Sequence, residues 1–127
     1  MKKTKWTTKN FFESFKCALT GIKYVFTSQR NILIQLVFAI VVVLIGFLFR
    51  ISYIEWLVLI LTISLVLFAE FINTAIETTV DLITEEYNKK AKISKDISAG
   101  AVLITSINSI IVGIIIFGER IINLFLQ

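Results

Sequence analysis

The stretch Ile54-Glu-Trp-Leu-Val-Leu-Ile-Leu-Thr-Ile-Ser-Leu-Val-Leu-Phe68-Ala-Glu70-Phe-Ile-Asn73-Thr-Ala-Ile-Glu77-Thr-Thr-Val-Asp81 is almost pure hydrocarbon up to Ala69 and then turns acidic. Glu70, Asn73, Glu77 and Asp81 follow one another at helical spacing, which returns their side chains to nearly one face. Carboxylates at the edge of a bilayer are costly, so such a face marks a functional site. The stripe reads as that of an enzyme rather than an anchor.

Working outward, the run from about Ile54 through Ala69 is a membrane span, and its helix continues through the stripe to about Ile83. Upstream, Ile32 to Phe49 is apolar apart from Gln35 and just long enough to cross. Arg50, Ser52, Tyr53 and Glu55 form the turn between these spans. Downstream, Thr84 to Lys95 is a charged loop. A third span runs over about 96–120, with Asp96 or Ser94 as its cap. Ser98, Gly100, Thr105, Ser106, Asn108, Ser109 and Gly113 soften it, and such residues favour helix–helix contact in a membrane. At the N-terminus, Thr8 or Asn10 can cap a helix beginning near Phe11. Phe11, Phe12, Phe15, Leu19, Ile22 and Phe26 recur every three to four residues, with Lys16, Thr20 and Lys23 opposite. That pattern predicts an amphipathic helix over about 9–27, lying in the interface or packed on protein. The expected fold is one all-α membrane domain over 1–127, with spans at about 31–49, 54–83 (including a cytoplasmic extension) and 96–120.

Composition narrows the chemistry. At 57% apolar residues and a mean hydropathy of +0.86, the chain is too apolar for a soluble domain and leaves no room for a separate catalytic one. There is no histidine, which removes imidazole relays and His-based triads. A single cysteine, Cys17, excludes an intramolecular disulfide or a cysteine metal cluster. No signal peptide is read. Of the 13 basic residues, all but Arg50 and Arg120 lie in the N-terminal segment or in the 84–95 loop. Anionic headgroups and the positive-inside rule explain them better than nucleic acid does. The N-terminus and that loop then face the cytoplasm, and the 50–55 turn and the C-terminus face out of a cell membrane.

Glu70 lies fifteen residues beyond Glu55, about 22 Å along a helix, so it sits near the cytoplasmic boundary. A carboxylate there suits a general base for an alcohol, or alternatively a side chain in headgroup water or paired with a lysine. Glu77 and Asp81 lie nearer the cytoplasm, where oxygen ligands suit Mg²⁺. Lys95 could neutralise phosphate. The bland alternative for these residues is a solvated loop with capping groups. Gly113-Ile-Ile-Ile-Phe-Gly118 has a phosphate-loop interval, but Glu119-Arg120 follows in place of Lys-Ser/Thr, so it is rejected as a phosphate cradle.

Together these residues resemble the signature of the small prokaryotic membrane lipid kinases, the diacylglycerol kinase and undecaprenol kinase family. The core match is Glu70-Phe-Ile-Asn73-Thr-Ala-Ile-Glu77-Thr-Thr-Val-Asp81-Leu. It is supported by Glu86-Tyr-Asn88, Ala91-Lys, Lys95-Asp96, Ala99-Gly-Ala-Val-Leu103, Ser14-Phe-Lys, Gly21-Ile22 and Arg30-Asn31. The chain is more similar to the Gram-positive branch, which acts on undecaprenol. The resemblance implies three spans plus a surface helix, a homotrimer with active sites between subunits, ATP and Mg²⁺. By position it implies Glu70 as the base and as a lipid contact beside Ala99. It implies Glu77 and Gln29 at the metal, and Gln29, Glu77, Glu86, Tyr87, Asn88, Lys95, Asp96 and Cys17 around the nucleotide, with Asn73 and Asp81 supporting. The implied reaction is ATP-dependent phosphorylation of undecaprenol, or alternatively of diacylglycerol.

Several positions depart from the family pattern. Gln29 stands where the family usually has a metal-binding glutamate, and its amide oxygen coordinates without charge. Cys17 replaces an aromatic found in some members. Gln35 and Asn88 stand where Gram-positive members often carry histidine. Two rival classes remain: a proton-coupled carrier using Glu70, whose site would normally lie at the midplane, and a catalytically silent member. Flux without ATP would favour the carrier, and labelled ATP with both lipids separates all of these.

Overall fold

The computed structural model describes residues 10–126. Thr8 and the basic residues Lys2, Lys3, Lys5 and Lys9 lie outside the described residues. Within them the chain forms four helices: α1 (Phe11–Ser28), α2 (Arg30–Leu48), α3 (Tyr53–Ile83) and α4 (Lys89–Phe125). Three are long and apolar enough to cross a membrane: α2, α3 and α4. The architecture is that of an all-α multi-pass membrane protein with an additional N-terminal helix.

Asn10 starts α1, its side-chain oxygen accepting the Glu13 amide at 2.9 Å. Only Val25 of α1 is buried, while Phe11, Phe12, Phe15 and Leu19 stay exposed, so the apolar stripe is uncovered within one chain. Gln29 alone separates α1 from α2. Its extended backbone (φ −114°, ψ 118°) ends one helix and starts the next, which re-aims the chain and fixes its own side chain at the joint.

The turn between α2 and α3 is closed by two local devices. At the end of α2, Arg50 takes a left-handed conformation (φ 48°), with Arg50 N–H bonded to the Phe47 carbonyl and Ile51 N–H to the Gly46 carbonyl. This is a Schellman ending, with arginine where glycine is usual. At the start of α3, Ser52 and Glu55 form a reciprocal capping box: Ser52 N–H reaches Glu55 Oε2 at 2.7 Å, and Glu55 N–H reaches Ser52 Oγ at 3.4 Å. Glu55 is also clamped by Arg120 from the far end of α4, at 2.8 and 3.0 Å, and Arg120 additionally donates to the Ile116 carbonyl. Beneath this clasp lies a small core of Ile51, Leu59, Ile116 and Phe117, with Phe49 and Trp56 against it.

At the other end α3 continues to Ile83, giving 31 residues or about 46 Å, more than a hydrocarbon core needs. Its last turns therefore protrude. The third long helix corrects one expectation: α4 is capped by Asn88, whose side-chain oxygen accepts the Lys90 and Ala91 amides at 2.9 and 3.2 Å. It is not capped by Ser94 or Asp96. Asp96 instead pairs with Lys92 at 2.8 Å, one turn back on the same helix. The charged loop thus shrinks to residues 84–88, and Lys89, Lys90, Ala91 and Lys92, all good helix formers, build the first turn of α4. Helices α3 and α4 form the principal antiparallel pair, with α2 against α3. Most large apolar side chains of α2 and α4 face outward, as lipid or a neighbouring subunit requires.

Candidate active site

The acidic stripe is a burial gradient. Glu70 is 1% exposed and Asn73 7%, Glu77 is half-buried, and Asp81 is exposed. These residues share a face because α3 runs unbroken from Tyr53 to Ile83. They sink or emerge according to what packs over them: α2 covers Glu70, α4 covers Asn73, and nothing covers Asp81 fully.

Glu70 faces Gln35 of α2. The Gln35 amide nitrogen donates to Glu70 Oε2 at 3.2 Å. Glu70 Oε1 and Gln35 Oε1 are both buried without a hydrogen-bond partner among the described residues. An unpaired carboxylate oxygen in a dry environment is expensive and therefore a candidate for chemistry. One helical turn from Glu70 towards the start of α3, a cleft of about 510 Å³ opens between α2, α3 and α4. Its walls include Gln35, Phe38, Leu59, Thr62, Val66 and Ser109. The hydroxyls there are turned back on their own helices, Thr62 to the Val58 carbonyl and Ser109 to the Ser106 carbonyl, both at 2.8 Å. The cleft is therefore lined by hydrocarbon, and its size lies within the ordinary range for small-molecule sites.

Further along α3, towards Ile83, a second set of bonds crosses the bundle. Ser98 Oγ of α4 lies 2.7 Å from Asn73 Oδ1, the Asn73 amide nitrogen donates to Glu77 Oε1 at 3.1 Å, and the Gln29 amide nitrogen donates to Glu77 Oε2 at 3.5 Å. The direction is set by Glu77. A carboxylate accepts only, so Asn73 turns its NH₂ to Glu77 and its oxygen to Ser98, which must then donate. Further out, Lys95 pairs with Asp81 at 2.5 Å, tying α4 to the end of the stripe.

The other residues singled out from the sequence divide differently. Asn88 is occupied as the α4 cap, with Glu86 and Tyr87 exposed in the link just before it. Asp96 and Ala99 are exposed on α4, and Cys17 is exposed on α1. None of these joins the Glu70–Glu77 network within one chain. Two residues that do join it carried no assigned role from the sequence: Gln35, noted as a polar interruption and as a departure from the family pattern, and Ser98, counted among the small residues of the third span. The polar interruption was the signal for Gln35, since an amide in a span needs a partner.

As a metal centre the arrangement offers one carboxylate, Glu77, with the Gln29 amide beside it. No cluster of three or more His, Cys, Asp or Glu side chains is found among the described residues. A single carboxylate is enough for a hard divalent cation that completes its shell with water and substrate phosphates, and the Gln29 amide, which now turns its nitrogen to Glu77, would add an oxygen if rotated.

Comparison with known proteins identifies the family. Residues 16–117 match the family model for prokaryotic diacylglycerol kinase. The chain is 42% identical over 107 residues to an undecaprenol kinase of Bacillus subtilis, covering 84% of this chain and 87% of that protein. It is 39% identical over 115 residues to a diacylglycerol kinase of Synechocystis, covering 89% of this chain and 66% of that protein.

Proposed function

The chain belongs to the prokaryotic diacylglycerol kinase family and is a lipid kinase, and on that premise we propose that its acceptor is undecaprenol and that Glu70 is its general base. One observation carries the assignment. A carboxylate 1% exposed, with one oxygen unpaired, lies one turn from a hydrocarbon cleft and on the same helix face as a half-buried carboxylate nearer the water. The lipid chain occupies the cleft and its hydroxyl meets Glu70, while ATP approaches from the Glu77 side. Phosphoryl transfer depends mainly on positioning and charge, so a small helical scaffold suffices.

Each residue then has a defined task. Glu70 takes the proton of the lipid hydroxyl. Asn73 and Ser98 orient Glu77. Gln29 and Glu77 would hold Mg²⁺, which when bound supplies charge neutralisation at the phosphates. Gln29 must rotate its amide to offer oxygen there. Lys95 exchanges its Asp81 partner for phosphate, and Glu86, Tyr87, Asn88, Asp96 and Cys17 lie on the cytoplasmic side for the nucleotide. Exposure of the last group in a single chain fits a homotrimer in which a neighbouring subunit completes the nucleotide site. The N-terminus and the 84–88 link face the cytoplasm, in keeping with the basic residues around them.

Diacylglycerol is the second reading. It is favoured by the name of the family and of the Synechocystis relative, and the hydrocarbon wall of the cleft accepts acyl as well as prenyl chains. The deciding experiment gives purified protein labelled ATP with each lipid in mixed micelles. Undecaprenol is expected to be the better acceptor, and Glu70→Gln to abolish transfer to either lipid. Wild-type turnover in Glu70→Gln would remove Glu70 from the mechanism.

A further inference from the structure

Gln35 has no place in the chemistry assigned so far, yet it is the only hydrogen-bond partner of the Glu70 carboxyl among the described side chains. Its amide is half-satisfied: the nitrogen serves Glu70 Oε2, and the oxygen is buried with nothing to accept from. An amide kept only to stabilise the bundle would be expected to satisfy both ends, because a buried unpaired acceptor is costly. The orientation is not free to reverse while Glu70 is ionised, since turning the amide would set two acceptors against each other. Gln35 also lines the cleft, so it touches both the lipid path and the base.

We propose that Gln35 is a positioning residue that divides the labour of the two Glu70 oxygens, pinning Oε2 so that the unpaired Oε1 is the atom that receives the proton of the lipid hydroxyl. This rests on the lipid kinase mechanism above and assigns its atoms. The O–H bond of the alcohol breaks and its proton passes to Glu70 Oε1. The freed oxygen pair bonds to the γ-phosphorus of ATP, the bond from that phosphorus to the bridging oxygen breaks, and ADP leaves with that electron pair. Without the amide the carboxylate rotates about its last torsion, and neither oxygen is held towards the incoming hydroxyl.

The test compares Gln35→Met, which fills similar space without a donor, with Gln35→His, whose ring N–H can restore one. Steady-state kinetics in mixed micelles are measured against both lipid and ATP, with circular dichroism melts to confirm that the helices are intact. Gln35→Met is expected to lower kcat by about 10- to 100-fold, with KM for lipid and ATP within about twofold, because a misplaced catalytic group costs rate rather than binding. Gln35→His is expected to recover most of that loss. A Met variant within about threefold of wild-type kcat overturns the proposal, as does a folded His variant no better than Met. A change confined to lipid KM overturns it as well, since that would make Gln35 part of the cleft wall only. Wild-type protein that phosphorylates neither lipid refutes the parent mechanism instead, so the two failures are distinct.

Discussion

Replacing Ser98 by alanine should cost more than removing both partners of its hydrogen bond. Asn73 Oδ1 accepts from Ser98 Oγ at 2.7 Å, at a contact where Asn73 is 7% exposed and Ser98 4%. Ser98→Ala leaves that oxygen buried without a donor. It cannot turn to Glu77, where it would face a carboxylate. Stranding a buried acceptor costs about 1–3 kcal/mol. The reverse change is milder, because the Ser98 hydroxyl has a second acceptor in the Lys95 carbonyl at 2.9 Å, and half-buried Glu77 can take water in place of the Asn73 amide. Asn73→Leu should therefore leave no orphan behind. The double variant Ser98→Ala/Asn73→Leu is then expected to be more stable than Ser98→Ala alone by about 1 kcal/mol or more, a coupling of the size found for directly bonded pairs. Reversible unfolding by SDS in mixed micelles, followed by tryptophan fluorescence at Trp56, measures all corners of the cycle. Additive losses, with the double variant least stable, would refute the directed relay. A second readout follows from the same relay: a freed Asn73 loosens Glu77, so the Mg²⁺ concentration for half-maximal activity in Ser98→Ala should rise about tenfold or more.

Other outcomes follow from single contacts. Gln29→Glu places a second carboxylate beside Glu77. It should lower the Mg²⁺ concentration needed for half-maximal activity and make the thermal midpoint depend more strongly on Mg²⁺, and an unchanged Mg²⁺ dependence in both assays would show that Gln29 is not at the metal. Arg50→Gly relieves a left-handed non-glycine residue in the Schellman turn and should stabilise the protein by about 0.5–1 kcal/mol in the same unfolding assay, with no gain contradicting the strain. Gly46→Ala puts a Cβ 2.9 Å from Trp56 Cη2 and 3.3 Å from Ile51 Cδ1, which should cost about 1–3 kcal/mol and shift the tryptophan emission. A neutral result there would mean that the turn between α2 and α3 repacks freely.

The acidic stripe, the three long helices and the end of α3 at Ile83 were all readable in the residues, because each is written in local periodicity. Asn10 was readable as a cap for the same reason. The start of α4 was misplaced because Lys89 to Lys95 lacks a long apolar pattern, although Asn88 followed by Lys, Lys and Ala is itself a sound start signal. Bonds between distant helices were a different matter. Gln35 meets Glu70, Ser98 meets Asn73 and Arg120 meets Glu55 across 35, 25 and 65 positions. Spacing along a chain carries no information about such pairs until the helices are packed. Arg120 and Glu55 were informative beforehand only through the side of the membrane they favour.

On the proposed assignment, the burial gradient along α3 lets one helix serve two substrates that share no solvent. From Glu70 to Glu77 the axis advances seven residues, about 10 Å, and exposure rises from nearly none to partial. A hydroxyl on a hydrocarbon chain is most soluble at the dry end, and a polyphosphate at the wet end. The scaffold therefore does not have to carry the phosphate across the interface. On the proposed assignment it has only to hold a base at one depth and a charge-binding carboxylate at the next: Gln35 bonds Glu70, Gln29 and Asn73 bond Glu77, and Ser98 holds Asn73.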